Sequence, residues 1–508
     1  MTTIASKLAG ADFAADLVAE TRTGKVGGAF LPGRGMRVFK GIPYAAPPVG
    51  SLRWCPPRPP APWQGIRSAL EFGPDCPQTG DVGSRAPSMS EDCLYLNIWS
   101  PTGAQPASLP VMVWIHGGSF VSGSGSEKRL DGARLAQQGP VVVVTINYRV
   151  GLFGFFSHPA LSSESSNRTS GNYGLLDQIC ALRWVRDNIA QFGGDPGRVT
   201  AFGVSAGSAG ISLLLTSPLA AGLFQQAILE SPGAARRLAS LADAEIAGMT
   251  LGYDLGALRA LTAQEILDKT SLLAPKVRGL TASRVLRPIR DGHVIAEDER
   301  PAFKNGRLHK MPIIVGSNRD EGSQFTATWP FATLAQYQSL VAANFTGHEE
   351  RALAVYPAAT DDDVAPRVGE MFADTQFNYG IRLLAQSMSA QGKPTWRYLF
   401  TRRRPGQNDG PHHVQEVPYV FGNLSDVRAE DVGAQDNTDE LISTSMMKAW
   451  LAFAATGSPN GPGLAAWPAY DAESDCYLEF GDDVQVRGGW RTPQLDFLDA
   501  YYAGDDRA

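Results

Sequence analysis

The stretch Arg198–Gly207 (RVTAFGVSAG) decides the fold, because a β-branched and aromatic run ends there on a glycine, a serine and a second glycine. This pattern predicts a strand that turns sharply into a helix, with Ser205 at the turn and its hydroxyl exposed above a sheet. The two glycines allow the strand and the helix to approach closely without Cβ clashes. Residues 206–216 are mostly apolar and are soon followed by Pro218, so we expect the helix to end before the proline.

The composition describes a globular chain with enough apolar material for a large core. Of its 508 residues, 43% are hydrophobic and 19% are charged, which excludes disorder as the main state. The net charge is −6, and the sequence has no zinc-ligand clusters of Cys and His and no basic aromatic modules. Both features argue against nucleic acid as a partner. We therefore expect a small-molecule partner, no metal site and no cofactor.

The sequence contains no run of roughly 18 apolar residues, so no membrane span is predicted. Met1–Glu20 lacks both a basic start and a continuous apolar centre. This predicts a cytoplasmic protein, or a secreted one if an export signal lies outside this sequence. The five cysteines are too sparse for a disulfide-rich scaffold, and their odd number leaves at least one thiol free.

The N-terminal part begins as short strands and continues as extended chain. Residues 17–39 alternate short apolar runs with glycines, which predicts hairpins at an antiparallel edge of the sheet. Residues 41–63 are rich in proline and cannot be helical, so we expect extended chain packed on the surface. Residues 72–90 turn to Gly, Pro, Ser, Asp and Thr, which is typical of a loop.

The middle of the chain predicts a mostly parallel sheet. Residues 91–99 alternate apolar side chains as a strand does, and residues 111–115 and 141–147 are apolar as buried strands are. An amphipathic helix over residues 174–192 then returns the chain to the strand before Ser205. This order is a βαβ crossover, and it favours an α/β fold with a parallel sheet.

Paired glycines follow the predicted strand 111–115, in the segment His116–Phe120 (HGGSF). Glycine permits backbone N–H groups to turn outward and converge on one point. Such a set of donors is the chemistry of an oxyanion hole, which stabilises the negative oxygen of an acyl-transfer intermediate. The sequence therefore predicts anion-stabilising donors near the serine turn.

The C-terminal half supplies acidic and histidine-bearing loops after further strands. Residues 234–284 are rich in Ala and Leu at helical spacing and predict a helical insertion. A later strand ends in the acidic loop Ser317–Gly322, and a strand over 395–401 leads to His412 and His413. In open α/β sheets such loops line the ligand crevice.

These motifs, in this order, resemble the type-B carboxylesterases, the α/β-hydrolase family that includes the cholinesterases and the bacterial para-nitrobenzyl esterases. The similarity runs from about Val18 to Phe497. It implies a single α/β-hydrolase domain over residues 17–503, with a large mostly parallel sheet flanked by helices and the helical insertion at 234–284. The matching segments are Phe39–Tyr44, Ser90–Asn97, the His116 glycine turn, Phe192–Pro196, the serine turn, Asp320–Gly322, and His413 with Gly422 nine residues later.

The resemblance implies a catalytic triad of Ser205, Glu321 and His413, in the Ser, acid, His order that α/β-hydrolases use. A serine hydroxyl becomes a good nucleophile when a neutral imidazole takes its proton and a carboxylate stabilises the imidazolium that forms. His412 is the rival base and Asp320 the rival acid, because each is adjacent to the family position. The spacing to the following Phe-Gly pair favours His413, and the family places the acid just before a glycine, which favours Glu321.

The resemblance also implies the groups around the triad. The backbone N–H groups of Gly118, Ser119 and Ala206 match the three-donor oxyanion hole of the family. Many members have a third glycine where Ser119 stands, so the backbone is slightly less free here. Ser231 matches a serine that supports the triad acid, whereas a lone serine at a strand end is usually a cap.

Two cysteines and two arginines complete the candidate residues. Cys76 and Cys93 stand where the family closes a disulfide around a surface loop, and in a reducing cytoplasm they would stay thiols. Arg284 and Arg287 stand where cholinesterases place aromatic residues that shape the acyl pocket. Either the arginines point to solvent or pair with acids such as Asp291, or one of them binds a carboxylate of the substrate, since Arg matches that group bidentately.

The function that the resemblance implies is a serine carboxylesterase. Such an enzyme hydrolyses a small-molecule ester through an acyl-serine intermediate, without a cofactor, and we expect a monomer or weak homo-oligomer. A carbamate or amide hydrolase is the nearer alternative, because the same chemistry serves those substrates. A non-catalytic binding module is less favoured, because such relatives usually lack a triad residue and here serine, acid and base are all present.

Overall fold

The computed structural model describes residues 13–273, 280, 284–426 and 433–505. Its strands are β1 (Val18–Thr21), β2 (Gly24–Gly27), β3 (Ala29–Leu31), β4 (Met36–Pro43), β5 (Ile66–Ser68), β6 (Tyr95–Pro101), β7 (Leu109–Ile115), β8 (Val142–Ile146), β9 (Gly194–Val204), β10 (Gln226–Glu230), β11 (Ile313–Asn318), β12 (Thr395–Phe400), β13 (Cys476–Phe480) and β14 (Val484–Gly488).

Eleven of these strands form one sheet, in the order β14–β13–β12–β11–β10–β9–β7–β8–β6–β4–β3. Every neighbouring pair from β13 across to β8 is parallel. The pairs at the two ends, β14 with β13 on one side and β8–β6–β4–β3 on the other, are antiparallel. The predicted large, mostly parallel sheet is therefore confirmed.

The helices lie between and around these strands. They are α1 (Ala133–Gln138), α2 (Gly151–Phe155), α3 (Pro159–Glu164), α4 (Tyr173–Asn188), α5 (Ala206–Thr216), α6 (Leu241–Gly248), α7 (Leu255–Ala260), α8 (Ala263–Asp268), α9 (Glu299–Lys304), α10 (Ser323–Thr326), α11 (Leu334–Asn344), α12 (Glu349–Val355), α13 (Val364–Ala373), α14 (Tyr379–Ala390), α15 (Val417–Phe421), α16 (Asn437–Thr456) and α17 (Thr492–Asp505).

The sheet is buried on both faces, which is why its central strands are apolar throughout. Val113 and Trp114, neighbours on β7, are both fully buried and belong to separate apolar clusters. Successive side chains of a strand point to opposite faces, so each cluster lies on one side of the sheet. The parallel strands β7, β9, β10 and β11 thus all end at one edge, and the loops that follow them meet there.

Two predicted element boundaries differ from the structure. The strand predicted over 91–99 begins only at Tyr95, because tight turns precede it: the N–H of Cys93 donates to the Glu91 carbonyl and that of Tyr95 to the Cys93 carbonyl. The helix predicted over 174–192 continues after Asn188 as a tighter 3₁₀ turn. It ends at Gly193, whose φ of 91° belongs to the left-handed region that glycine adopts readily.

The prediction for residues 17–39 is correct only in part. β3 and β4 form a hairpin at the edge of the large sheet, as expected. β1 and β2, however, form a separate three-stranded sheet with β5, a strand that was not predicted from the sequence. Because β2 and β5 are far apart in the sequence, no local pattern predicts that they pair.

Three short helices, α6, α7 and α8, lie in the segment where the sequence predicts a helical insertion. Residues 274–279 and 281–283 of that segment lie outside the described residues. The assignment of residues 17–503 to a single domain stays a prediction. Within the described parts of the chain, we find no helix with the length and apolar character that crossing a bilayer requires.

Covalent and ionic links hold the loops near the start of β6 and the end of β8. The Sγ atoms of Cys76 and Cys93 are bonded to each other. Arg149 and Asp177 form a buried bidentate pair, with both N–O distances at 2.8 Å. Both features join loops to the side of the sheet at which the parallel strands β7 to β11 have their C-terminal ends.

Candidate active site

Ser205 lies at the turn between β9 and α5 in a strained conformation. Its φ of 55° and ψ of −120° are outside the regions that residues with a side chain normally adopt. The backbone is forced into this turn by close packing: a Cβ atom on Gly203 or Gly207 would lie 2.4 or 2.0 Å from the carbonyl oxygen of Ile115. Glycine at both positions therefore keeps α5 and β9 close enough to present Ser205 at the sheet edge.

The loop after β7 carries the predicted oxyanion donors. Gly118 has a φ of 106°, and a Cβ atom there would lie 2.1 Å from the Ser122 carbonyl oxygen, so only glycine fits. Ser119 also has a positive φ, 57°. The N–H groups of Gly118 and Ser119 donate to no other described residue, and the N–H of Ala206 belongs to the first turn of α5, where no intrahelical acceptor exists. All three donors are available to a ligand.

His413 and Glu321 are in direct contact, through Nδ1 of the imidazole and Oε2 of the carboxylate. Both side chains are buried. Nε2 of His413 is buried and has no hydrogen-bond partner among the described residues. No hydrogen bond joins it to Ser205 in this structure. The structure thus brings the predicted acid and base together and leaves the second ring nitrogen of the base unoccupied.

The other carboxylate oxygen of Glu321 is held by β10 and β11. Oε1 accepts hydrogen bonds from the Ser231 hydroxyl and from the backbone N–H of Asn318, each at 2.6 Å. Ser231 is fully buried and has a φ of 49°, so the end of β10 is strained where it meets Glu321. Three groups therefore fix the orientation of one carboxylate.

The rival residues form a pair of their own, on the outer side of the site. His412 Nδ1 lies 3.3 Å from Asp320 Oδ2, and Nε2 lies 3.3 Å from Asp409 Oδ1. The hydrogen bond with Asp320 is the main reason that the pKa of His412 lies above its ordinary value of 6.5, although burial opposes it. Burial raises the pKa of Asp320, but hydrogen bonds from His412 and Ser323 lower it to about 2.

Two further carboxylates lie beneath the triad candidates, and sequence reasoning did not identify them. Glu416 is fully buried and accepts a hydrogen bond from Nδ2 of Asn318 at 2.6 Å. Burial, and then the nearby charge of Glu321, raises the pKa of Glu416 to about 7. Burial and the nearby Glu416 raise the pKa of Glu230 well above its ordinary value. Their separate positions in the chain gave no signal, although Glu416 follows His413 by three residues.

A cavity of about 370 Å³ opens beside Ser205. Phe325 and Phe377 line it and also pack on the ring of His413, with centroids 5.1 and 4.8 Å away. This contact places His413 directly behind the cavity wall. The further lining residues include Ser119, Phe120, Ala206, Leu213, Trp329 and Phe372.

One end of this cavity is strongly charged. Arg284 and Arg287, the two arginines singled out in the sequence, line it together with Arg236 and Glu299, which sequence reasoning missed. Burial raises the pKa of Glu299 to about 7, although a hydrogen bond from Ser212 and one from the Ala235 N–H at 2.7 Å lower it. A mostly apolar pocket with a few charged groups at one end is typical of a small-molecule site.

Among these cations, Arg287 has a pKa that lies well below its ordinary value. Burial is the main cause, and the neighbouring charges of Arg236 and Arg284 lower this pKa further. Its guanidinium makes no hydrogen bond or ion pair with any residue that the structure describes. The expected alternative partner, Asp291, instead accepts hydrogen bonds from three backbone N–H groups of its own turn, at residues 293–295.

No group of three or more His, Cys, Asp or Glu side chains within the described ranges has the arrangement of a metal site. What the arrangement offers is a strained serine, a carboxylate-bound imidazole and free backbone donors beside one cavity. Such a set can transfer an acyl group to a serine hydroxyl and stabilise the oxyanion that forms.

Comparison with known proteins gives one consistent result. The model of the carboxylesterase family matches residues 15–498. The chain is similar to a fumonisin B1 esterase of Sphingopyxis macrogoltabida, with 45% identity over 92% of this chain and 87% of that protein. It is also similar to a para-nitrobenzyl esterase of Bacillus subtilis, with 37% identity over 92% and 96% of the two chains.

Solved structures agree with these relatives. A PNB esterase structure superposes with a TM-score of 0.84 at 34% identity, over 95% of this chain and 99% of that one. A carboxylesterase from Geobacillus stearothermophilus superposes with a TM-score of 0.83 at 36% identity, with the same coverage.

Proposed function

Because this chain belongs to the carboxylesterase family, we propose that its Ser205, His413 and Glu321 hydrolyse carboxylic esters through an acyl-serine intermediate. The observation that carries the proposal is a strained serine that lines the cavity and, behind the cavity wall, a histidine whose Nδ1 is bound by a carboxylate. The substrates of such an enzyme are small-molecule esters.

In the first half of the reaction His413 Nε2 takes the proton of the Ser205 hydroxyl, and Oγ attacks the ester carbonyl carbon. The carbonyl oxygen becomes negative and accepts hydrogen bonds from the N–H groups of Gly118, Ser119 and Ala206. The intermediate collapses, the bond to the alcohol oxygen breaks, and His413 returns its proton to that oxygen. A water molecule then repeats the sequence on the acyl-serine and releases the acid.

Glu321 stabilises the imidazolium that exists between the two proton transfers. Its contact with Nδ1 also fixes the imidazole tautomer, so that Nε2 is the nitrogen free to accept a proton. Ser231 and the Asn318 N–H hold the carboxylate in place by the two bonds of 2.6 Å. Ser205 and His413 are not hydrogen-bonded in the free protein, and such contacts commonly tighten only when a substrate is bound.

The nucleophile is tested by Ser205→Ala. We expect the variant to lose covalent labelling by an organophosphate and to lose ester hydrolysis by orders of magnitude, with unchanged circular dichroism. The matched control is Ser163→Ala, because Ser163 is an exposed serine on α3 and should be labelled and active as wild type is. Labelling that persists in Ser205→Ala would disprove the assignment.

The reaction class is tested with ester, carbamate and anilide substrates of equal acyl size. The panel includes fumonisin B1 and a para-nitrobenzyl ester, because relatives of this chain are named for those compounds. We expect esters to have the highest kcat/KM, since an alcohol leaves more readily than the amine of an anilide and the nitrogen of a carbamate makes its carbonyl carbon less electrophilic. A carbamate or an anilide with a higher kcat/KM would replace the ester assignment by the corresponding hydrolase.

We further propose that Arg284 and Arg287 hold a carboxylate on the acyl group. In support, both line the cavity with Ser205, and Arg287, which pairs with no carboxylate among the described residues, would gain a bidentate pair when an anion binds. A half-ester of a dicarboxylic acid should then have a higher kcat/KM than its neutral diester. Arg287→Ala should remove this preference, and equal kcat/KM values in the wild type would exclude the role.

A further inference from the structure

The loop that carries two of the candidate oxyanion donors has three consecutive residues with positive φ, 106° at Gly118, 57° at Ser119 and 63° at Phe120. For residues with a side chain this conformation is costly and persists only where the surrounding structure enforces it. The N–H groups of Gly118 and Ser119 donate to no described residue, so the loop is not held on its donor side. The Phe120 carbonyl accepts a hydrogen bond from the Gly151 N–H at 2.7 Å, which holds the middle of the loop.

The end of the loop folds back onto its beginning. The N–H groups of residues 121 and 122 both donate to the Gly118 carbonyl, at 2.9 and 3.0 Å. Gly123 follows, and its backbone lies directly against the start of the loop. A Cβ atom on Gly123 would lie 2.2 Å from His116 Nδ1 and 2.4 Å from the Gly117 carbonyl oxygen. The position of Gly123 therefore determines how the loop closes.

The side chain of Gln78 holds Gly123 by both of its backbone groups. Oε1 of Gln78 accepts from the Gly123 N–H at 2.7 Å, and Nε2 donates to the Gly123 carbonyl at 3.0 Å. Gly123 is buried, and these two backbone groups have no other hydrogen-bond partner among the described residues. Buried backbone groups require partners. One amide side chain here takes the place of the pairing that a neighbouring strand would supply.

Gln78 extends from a segment that is itself fixed. Its Nε2 also donates to the Cys76 carbonyl at 3.0 Å, and Cys76 is bonded to Cys93. Next to this contact, the Asp75 carboxylate accepts a hydrogen bond from the Ser124 hydroxyl, and both of those side chains are buried. Gln78 is buried as well, with 3% of its surface exposed. The amide therefore has little freedom to move away from Gly123.

We propose that Gln78 is a positioning residue for the ester hydrolysis, because it fixes Gly123 and so directs the N–H groups of Gly118 and Ser119 at the oxyanion. The inference rests on the proposed function and adds a residue to it. Gln78 is not among the residues that line the cavity, so it acts through the loop and not on the substrate. Donors that are held in advance stabilise the charge that develops in the transition state, and a loosened loop loses mainly that stabilisation.

The first test is Gln78→Met, which keeps the length of the side chain and removes its three hydrogen bonds. With the para-nitrobenzyl ester of acetic acid as a neutral substrate, we expect kcat to fall about tenfold at unchanged KM. This is less than the loss of a hundredfold or more that removal of an entire donor causes. The end point of labelling by an organophosphate counts the active sites, so kcat per site excludes any unfolded protein.

The second measurement is the affinity for an alkyl trifluoromethyl ketone. Ser205 Oγ adds to its carbonyl carbon as the hydroxyl proton passes to His413, and the carbonyl oxygen becomes a negative oxygen at the oxyanion position. We expect the inhibition constant of the ketone to rise in Gln78→Met by the factor by which kcat falls. The matched trifluoromethyl alcohol forms no oxyanion and should bind with wild-type affinity. A purely structural role of Gln78 would change neither constant.

The control is Asp81→Ala, in the same loop between Cys76 and Cys93. Asp81 is exposed and accepts a hydrogen bond from the Gly83 N–H at 2.8 Å, so its removal loosens a turn without touching Gly123. We expect wild-type kcat and ketone affinity in this variant. An equal loss in Asp81→Ala would assign the effect to the loop as a whole and overturn the role of Gln78.

Gln78→Asn carries the test if Gln78→Met does not fold, because the shorter amide keeps a polar group but cannot bridge both backbone groups of Gly123. We expect kcat and ketone affinity to fall several-fold in this variant. Wild-type values in whichever Gln78 variant folds would refute the proposal and leave the esterase assignment intact. Ester hydrolysis that persists in Ser205→Ala would instead refute the proposed function, whatever the Gln78 variants do.

Discussion

Replacing Glu416 by glutamine would remove a buried charge beneath the triad candidates without changing the shape of the side chain. Oε2 of Glu416 accepts a hydrogen bond from Asn318 Nδ2 at 2.6 Å, and Oε1 lies 3.5 Å from the hydroxyls of Ser231 and Tyr398. A glutamine can keep its oxygen toward Asn318 and direct its NH₂ group at the two hydroxyls, which can accept. The substitution therefore isolates the effect of the charge.

The expected magnitude follows from the pKa of Glu416, which burial raises from 4.5 to about 7. The folded protein holds this proton more tightly than the unfolded chain does. Its contribution to stability is complete below about pH 4.5 and is lost as the pH rises through about 7. The difference between the two pKa values corresponds to about 3 kcal/mol. Between pH 4.5 and pH 8, Glu416→Gln should gain up to that amount of stability relative to wild type.

Urea unfolding measures this effect. Wild type, Glu416→Gln and the control Glu473→Gln, whose carboxylate is exposed, are unfolded at pH 4.5, 6, 7 and 8 under conditions where refolding is complete. The free energies of unfolding of wild type and control should fall together above pH 4.5, and that of Glu416→Gln should fall less. If Glu416→Gln follows the wild-type curve at every pH, the carboxyl does not hold its proton in the folded protein and the reasoning fails.

Three further outcomes can be measured. His413→Ala should lower kcat/KM by orders of magnitude and His412→Ala only modestly; the reverse order would exchange their roles. Ser231→Ala removes one of two short hydrogen bonds to the triad acid, a charge-assisted bond that contributes about 1.5–3 kcal/mol. It should lower kcat about tenfold or more, and an unchanged kcat would show that Ser231 only caps the end of its strand. Cys76→Ser opens a link to Cys93 across a sequence separation of 17 residues. It should lower the free energy of unfolding by about 3 kcal/mol without reductant and have little effect with dithiothreitol; equal losses would show that packing, not the bond, is responsible.

The family, the fold class and ester hydrolysis could be predicted from the sequence because their signals are local and occur in a fixed order. The turn at Ser205 is one example, since the glycines on either side are required by backbone atoms only 2.0 and 2.4 Å from where a Cβ would stand. Buried parallel strands are likewise apolar throughout, so the strands at 111–115 and 141–147 could be located to within one residue or two. These constraints act within one short segment.

Features that depend on distant segments could not be predicted in this way. β5 pairs with β2 across some forty residues, and α17 packs its Tyr502 against Arg300 of α9 from about two hundred residues away. Arg236, Glu299 and Glu416 reach the site from three separate loops or helices, and nothing in their local sequence marks them. For the adjacent His412 and His413, the resemblance favoured His413 as the base, but the partner of His412 was not predicted, because only the fold directs His412 toward Asp320 and His413 toward Glu321.

The charges around Ser205 are arranged asymmetrically, as the proposed acyl transfer from an anionic substrate requires. Buried carboxyl groups, among them Glu321 and Glu416, lie behind His413. Guanidinium groups, among them Arg287, lie at the far end of the cavity, where burial and their mutual repulsion hold the pKa of Arg287 well below its ordinary value. An acyl anion that relieves this repulsion does so in the bound state and in the transition state alike, so the arginines should act mainly on KM. The triad and its carboxylates should act mainly on kcat, because the imidazolium exists only during the reaction. We therefore expect substitutions of the arginines to change mainly KM and substitutions of the triad residues to change mainly kcat.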